Sequence, residues 1–156
     1  MFLRFVLFIL VFLVSPIGGA DQSVSAQMNM GMASEELPES FKVPMKLFEK
    51  GLGPLSRTIT TDVVEAQAFF DQGLQLMYAF TPEDAARSFR EAQKSDPNCA
   101  MCYFGEAWAW GHYLNGPMGP GDLPRAQEAI RVASELADNA SGVEKALIDA
   151  MEVRYI

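Results

Sequence analysis

Residues 65–107 read EAQAFFDQGLQLMYAFTPEDAARSFREAQKSDPNCAMCYFGEA, and the spacing of the apolar side chains in this stretch decides the fold. Ala66, Phe69, Phe70, Gly73, Leu76, Met77 and Phe80 recur at three- and four-residue steps, with Glu65, Gln67, Asp71 and Gln75 between them. That is the 3.6-residue period of an amphipathic helix, beginning near Asp62. Thr81-Pro82-Glu83-Asp84 predicts the start of a second helix. Thr81 can accept a backbone N–H, Pro82 suits the first helical position, and the two acids suit the positive end of the helix dipole. Its apolar stripe is Ala85, Phe89 and Ala92, and Glu83–Arg87 and Arg87–Glu91 are expected as i,i+4 ion pairs on the wet face. Asp96-Pro97-Asn98 stops it. Two helices joined by so short a break fold back as an antiparallel hairpin.

The same grammar repeats toward the C-terminus. A third helix, expected from Cys99 to about Leu114, is apolar on nearly every side and should be buried between neighbours. The loop Gly116-Pro117-Met118-Gly119-Pro120-Gly121 follows, and a fourth helix starts near Asp122. Its Ala126, Ile130 and Ala133 repeat the spacing of Ala85, Phe89 and Ala92. Ser141-Gly142-Val143-Glu144 is a capping box that opens a fifth helix, still running at Tyr155-Ile156. Thr58 to Val64 is β-branched but too polar and isolated to seed a sheet. The expected fold class is therefore all-α, built of antiparallel helix hairpins over residues 62–156. About two and a half hairpins leave an apolar face uncovered, so the pattern is expected to continue beyond residue 156, and residues 21–156 alone are expected to be marginal or to self-associate.

Residues 1–20, MFLRFVLFILVFLVSPIGGA, have the three-part layout of a secretory signal peptide: Arg4, an apolar run from Phe5 to Val14, then Pro16 and small residues ending in Ala20. Ten apolar residues are half of what a membrane-spanning helix needs. The mature chain is thus expected to be exported, to the periplasm or beyond, with no stable membrane insertion. Residues 21–61 show no sustained period and carry Pro38, Pro44, Pro54 and three glycines. They read as a flexible lead-in, with one short amphipathic piece expected around Met45 to Phe48. Within it Met28, Met30 and Met32 form M-x-M-x-M, a soft-ligand tract that would suit copper; a plain flexible tail is the competing reading.

Composition narrows the partners. The chain has 156 residues and a net charge of −8, and losing Arg4 with the leader takes it to −9. Lys and Arg do not cluster, so nucleic acid is excluded as a partner. No nucleophile–base pair, phosphate loop or carboxylate dyad is visible, so no enzymatic constellation is assigned and no cofactor is required.

Gly73, Ala85, Phe89, Ala92 and Pro97 fall at the spacings of the tetratricopeptide repeat, which this part of the chain resembles. Phe69 stands where that pattern prefers Trp, and Leu76 where it prefers Tyr. The second copy departs by about seven extra residues between its helices and lacks the closing Pro. More narrowly, residues 65–74 with 96–107 look like a group of exported bacterial repeat proteins of unassigned function. The resemblance implies a helical solenoid whose first helices line a concave groove for a protein or peptide partner. On matching positions the groove residues are Gln67, Phe70, Leu74 and Tyr78, then Met101, Phe104, Trp108 and His112. Core packing competes for Phe70, Leu74 and Phe104, which leaves Tyr78, Trp108 and His112 as the more exposed candidates.

The two cysteines, Cys99 and Cys102, sit at a helix start. A CxxC there suits a local disulfide in an oxidising compartment, a metal site or a redox pair. A soft-metal alternative joins Met28, Met30, Met32, Cys99, Cys102 and Met118 as copper ligands. Glu106, alone among aromatics, is either hydrogen-bonded across a repeat or exposed in the groove.

Overall fold

The computed structural model describes residues 36–155. Within the described residues five α-helices follow one another: α1 (Val64–Tyr78), α2 (Pro82–Ser95), α3 (Ala100–Trp110), α4 (Asp122–Glu135) and α5 (Gly142–Arg154). Two short 3-10 turns accompany them, Glu39–Lys42 and Ala137–Asn139. Among the described residues there is no strand, only an isolated antiparallel bridge between Tyr113 and Gly116. Each helix packs on the next, and α3 also touches both α1 and α5. Successive antiparallel hairpins, each leaning on its successor, are the packing that the sequence period predicts.

Small residues set how closely the helices approach. Ala85, Phe89 and Ala92 of α2 are fully buried, as are Ala126 and Ala133 of α4, with Ile130 nearly so. Phe89 is the wedge. A Cβ added at Gly73 would lie 2.7 Å from its ring, and one at Gly105 would lie 2.4 Å from it. No alanine fits at either position without displacing an aromatic ring, so glycine on α1 and on α3 is what admits Phe89 between them. Phe70 packs its own ring at 5.5 Å from Phe89.

The chain ends of the helices depart from expectation in three places. α3 stops at Trp110 rather than near Leu114, because Gly111 lies against Tyr155: an added Cβ would sit 2.1 Å from the Tyr155 hydroxyl. Thr81 does not cap α2 with its side chain; its hydroxyl donates to the Leu76 carbonyl at 3.1 Å. Arg87 pairs with Asp84 at 2.9 Å, not with Glu83 or Glu91, since Glu83 receives Ser40 and Glu91 receives Lys94 and the Met45 N–H. The capping box of α5 forms as expected, with Glu144 Nα donating to Ser141 and Ser141 Nα to Glu144.

The described part of the lead-in is anchored on the helices. From Glu36 to Thr61 the chain is irregular, and its one helical turn is at Glu39–Lys42 instead of Met45 to Phe48. Yet four of the five helices hydrogen-bond its backbone, and the remaining one, α3, stacks Trp110 on its Phe41. Met45 and Ile59 are buried in the core, and side chains of α1, α2, α4 and α5 hold its backbone. Polar side chains of the helices satisfy a backbone that forms no ladder of its own, which composition alone does not reveal. The signal-peptide reading and most of the Met tract reading concern residues outside 36–155.

Candidate functional site

The first helices of the hairpins, α1 and α3, run the same way, so their C-terminal ends come together. There Tyr78 of α1 meets Trp108 of α3 edge to face, ring centroids 6.1 Å apart at 77°. Tyr78 is 66% exposed and Trp108 half-buried. Two residues past Tyr78, Phe80 is 56% exposed and has φ +60°, the left-handed region that a bulky side chain rarely adopts. Its geometry is a helix C-cap: Phe80 Nα donates to the Met77 carbonyl at 3.2 Å and Thr81 Nα to the Leu76 carbonyl at 3.0 Å. Glycine usually fills that position. Phe80 is thus a strained aromatic side chain held out to solvent two residues after Tyr78.

The predicted groove residues divide. Tyr78 and Trp108 come together, and His112, four residues after Trp108, is exposed, its carbonyl accepting from Arg154 at 2.6 Å. Phe104 is half-buried against the core. Phe70 (2% exposed), Leu74 and Met101 (1%) are buried, so they cannot line a groove, because the helix period that points them toward α3 and α2 is also the core stripe. Gln67 is engaged by the chain's own lead-in: it accepts from Ile59 Nα at 3.0 Å and donates to the Arg57 carbonyl at 2.9 Å.

Cys99 and Cys102 are joined in a disulfide, Cα atoms 5.4 Å apart, and both are fully buried at the start of α3. A thioether-and-thiolate copper site that counts on them loses its thiolates in this state. Met118 is half-buried against the core, and Met28, Met30 and Met32 lie outside the described residues. Among the described residues no group of three His, Cys, Asp or Glu side chains is gathered for a metal ion.

Glu106 takes the first of its two readings. Buried at 4% exposure, it accepts from Arg90 Nε at 2.6 Å, Gln93 Nε2 at 2.7 Å and Trp110 Nε1 at 3.0 Å. These three bonds tie α2 to α3 through a buried, partnered carboxylate. Around it runs a stack that sequence reasoning missed. Phe41 of the lead-in stacks on Trp110 at 5.3 Å, Arg90 lies 5.4 Å from the Phe41 ring, and Arg125 lies 5.0 Å from the Trp110 ring. One of two Phe residues in a Pro- and Gly-bearing segment, Phe41 carries no periodic signal that would announce it.

Two tyrosines near these helices are held neutral well above pH 7. Burial pushes the Tyr155 phenol up, and its hydroxyl donates to the Ala107 carbonyl at 2.8 Å. Burial first, then the Glu106 and Asp96 carboxylates, raises Tyr103. Neither is poised as a base at physiological pH. A cleft of about 410 Å³ opens at the starts of α2 and α4, lined by Pro38, Pro82, Trp110, Tyr113, Pro120 and Arg125 among others. Compared with family models, with curated proteins and with solved structures, this chain finds no match.

Proposed function

We propose that this chain is an exported helical-repeat scaffold of the tetratricopeptide type, which captures a protein or peptide partner on the aromatic surface of Tyr78, Phe80 and Trp108. The observation that carries the reading is the contrast in burial along one helix row. Phe70 and Met101 disappear into the core, while Tyr78 and Trp108 remain accessible and meet edge to face. Rigid, amphipathic aromatic side chains on a scaffold lose little entropy on binding and supply large contact area. The wedge of Phe89 between Gly73 and Gly105 supports the repeat assignment, because that is the packing role the motif spacing gives these residues. Export is supported by the leader-like residues 1–20 and is compatible with the Cys99–Cys102 disulfide.

Peptides selected from a displayed library on the immobilised protein provide the test. Those that bind are expected to lose at least tenfold in affinity against Tyr78→Ala and Trp108→Ala chains. Unchanged affinity with both variants would reject this surface as the binding face.

A further inference from the structure

The row Gln67, Asp71 and Gln75 on α1 reads the main chain of an extended segment. Gln75 Nε2 donates to the Leu55 carbonyl at 2.8 Å, and Asp71 accepts from Arg57 Nα at 2.9 Å. Gln67 closes on both the Arg57 carbonyl and Ile59 Nα. Residues 55, 57 and 59 therefore turn their backbone groups to α1 residues 75, 71 and 67 in antiparallel order. The pitch explains the match: four residues of helix rise about 6 Å, and two residues of extended chain advance about 6.6–6.8 Å. Alternate residues of a strand thus stay in step with every fourth residue of a helix across three rungs. Only two contacts in this register depend on side chains of the segment: the buried Ile59, and Ser56, whose hydroxyl donates to Asp71 at 2.7 Å.

We infer that this row is a binding site for extended polypeptide, selecting a hydroxyl residue followed three positions later by an apolar one, and that Leu55–Ile59 is its resident occupant in cis. Two further observations favour a site over simple packing. The Gln75 side-chain oxygen Oε1 is buried without a hydrogen-bond partner, so the row offers one side-chain acceptor for a main-chain N–H that its occupant does not use. Beside it a cleft of about 290 Å³ remains between the lead-in and α1, reaching Phe48, Leu52 and Ala68. A tethered segment competes at an effective concentration in the millimolar range, so a free peptide gains the site only when the tethered copy is weakened.

The probe is a fluorescein-labelled peptide of residues 53–61, GPLSRTITT, followed by anisotropy against the full chain. With Ile59→Asp in the chain, the peptide is expected to bind at least tenfold more tightly than to the parent. Adding Gln67→Ala should then cost at least tenfold, and a peptide with Pro at the Arg57 position, lacking the N–H, should not bind. Should Ile59→Asp lose its helical circular dichroism, a chain with Ser56→Ala and Arg57→Pro, both exposed positions, replaces it with the same expectations. Equal binding to parent and weakened chains, or none to a weakened chain that keeps its helicity, overturns the inference. Tyr78→Ala and Trp108→Ala should leave this binding unchanged, so it stands or falls apart from the aromatic surface.

Discussion

The two helix hairpins share one stripe, Ala-x3-Phe/Ile-x2-Ala, and close it differently. In the first, α1 and α2 are separated by three residues and Phe89 fills the joint against two glycines, one in its own hairpin and one in the next. In the second, the link runs from residue 111 to 121, and Ile130, a smaller side chain, takes the corresponding place in α4. Space near the end of α3 is taken instead by Tyr155, arriving from the end of α5. The first hairpin is thus locked by local complementarity, and the second by a residue 48 positions away from its hydrogen-bond partner. Local repeats of sequence can specify the first arrangement; the second needs the chain that follows.

The largest effect should come from the wedge. Phe89→Ala is expected to cost about 3–5 kcal/mol in urea unfolding, as for buried aromatics generally. Gly105→Ala alone should cost about 1–3 kcal/mol by overpacking. In the Phe89→Ala background that cost should nearly vanish, because the ring it strikes has gone. If the two costs simply add, Phe89 and Gly105 are not coupled and the difference between the hairpins is misread. Ile130→Ala, with no glycine partner, should show no such coupling to Gly105.

A smaller effect concerns acid. Burial pushes the Glu144 carboxyl up, but hydrogen bonds from Thr60 and Ser141 outweigh it and hold the group below the ordinary carboxyl range. A depressed folded-state pKa adds stability that is fully present above the unfolded value of about 4.3 and is lost as pH falls through the lower folded value. Glu144→Gln should flatten the loss of stability in that acid window while changing the neutral-pH slope little. Urea midpoints at a series of pH values between about 2 and 7 check this; identical pH profiles for the two chains would contradict it.

Smallest are the left-handed residues that lead into the second helix of each hairpin. Phe80 has φ +60° and Gly121 has φ +75°. Phe80→Gly should stabilise by about 0.5–1 kcal/mol and Gly121→Ala should destabilise by about 1 kcal/mol, since a side chain costs about 1–2 kcal/mol in this conformation while glycine carries an entropic penalty. Opposite signs by differential scanning calorimetry would show that the first hairpin keeps Phe80 at the expense of stability. Equal signs would remove that asymmetry.

How far the sequence discloses all this differs from element to element. The helices were legible because Ala66, Phe69, Gly73 and Met77, and Ala85, Phe89 and Ala92, keep a period that only a helix satisfies. The end of α3 was not, because Gly111 stops the helix against Tyr155, a contact 44 residues distant in sequence. Of the groove positions that the repeat spacing picks out, Tyr78 and Trp108 are accessible while Phe70, Leu74 and Met101 are buried, a difference the spacing does not disclose because one face of a helix passes from interior to surface along its length. The ordering of residues 36–61 was illegible: Gln67, Gln72 and Glu144 grip that segment by its backbone, and backbone recognition leaves no signature in the residues recognised.

One row of side chains changes from core to accessible surface between Phe70 and Tyr78, and between Met101 and Trp108. Urea unfolding of four single alanine variants at these positions, each paired with binding of the library-selected peptides, tests it most directly. Phe70→Ala and Met101→Ala are expected to lose about 2–5 kcal/mol of stability, whereas Tyr78→Ala and Trp108→Ala keep their helicity, unfold with smaller losses and bind at least tenfold more weakly. Collapse of the fold in Tyr78→Ala and Trp108→Ala, or undiminished binding by both, would contradict the account.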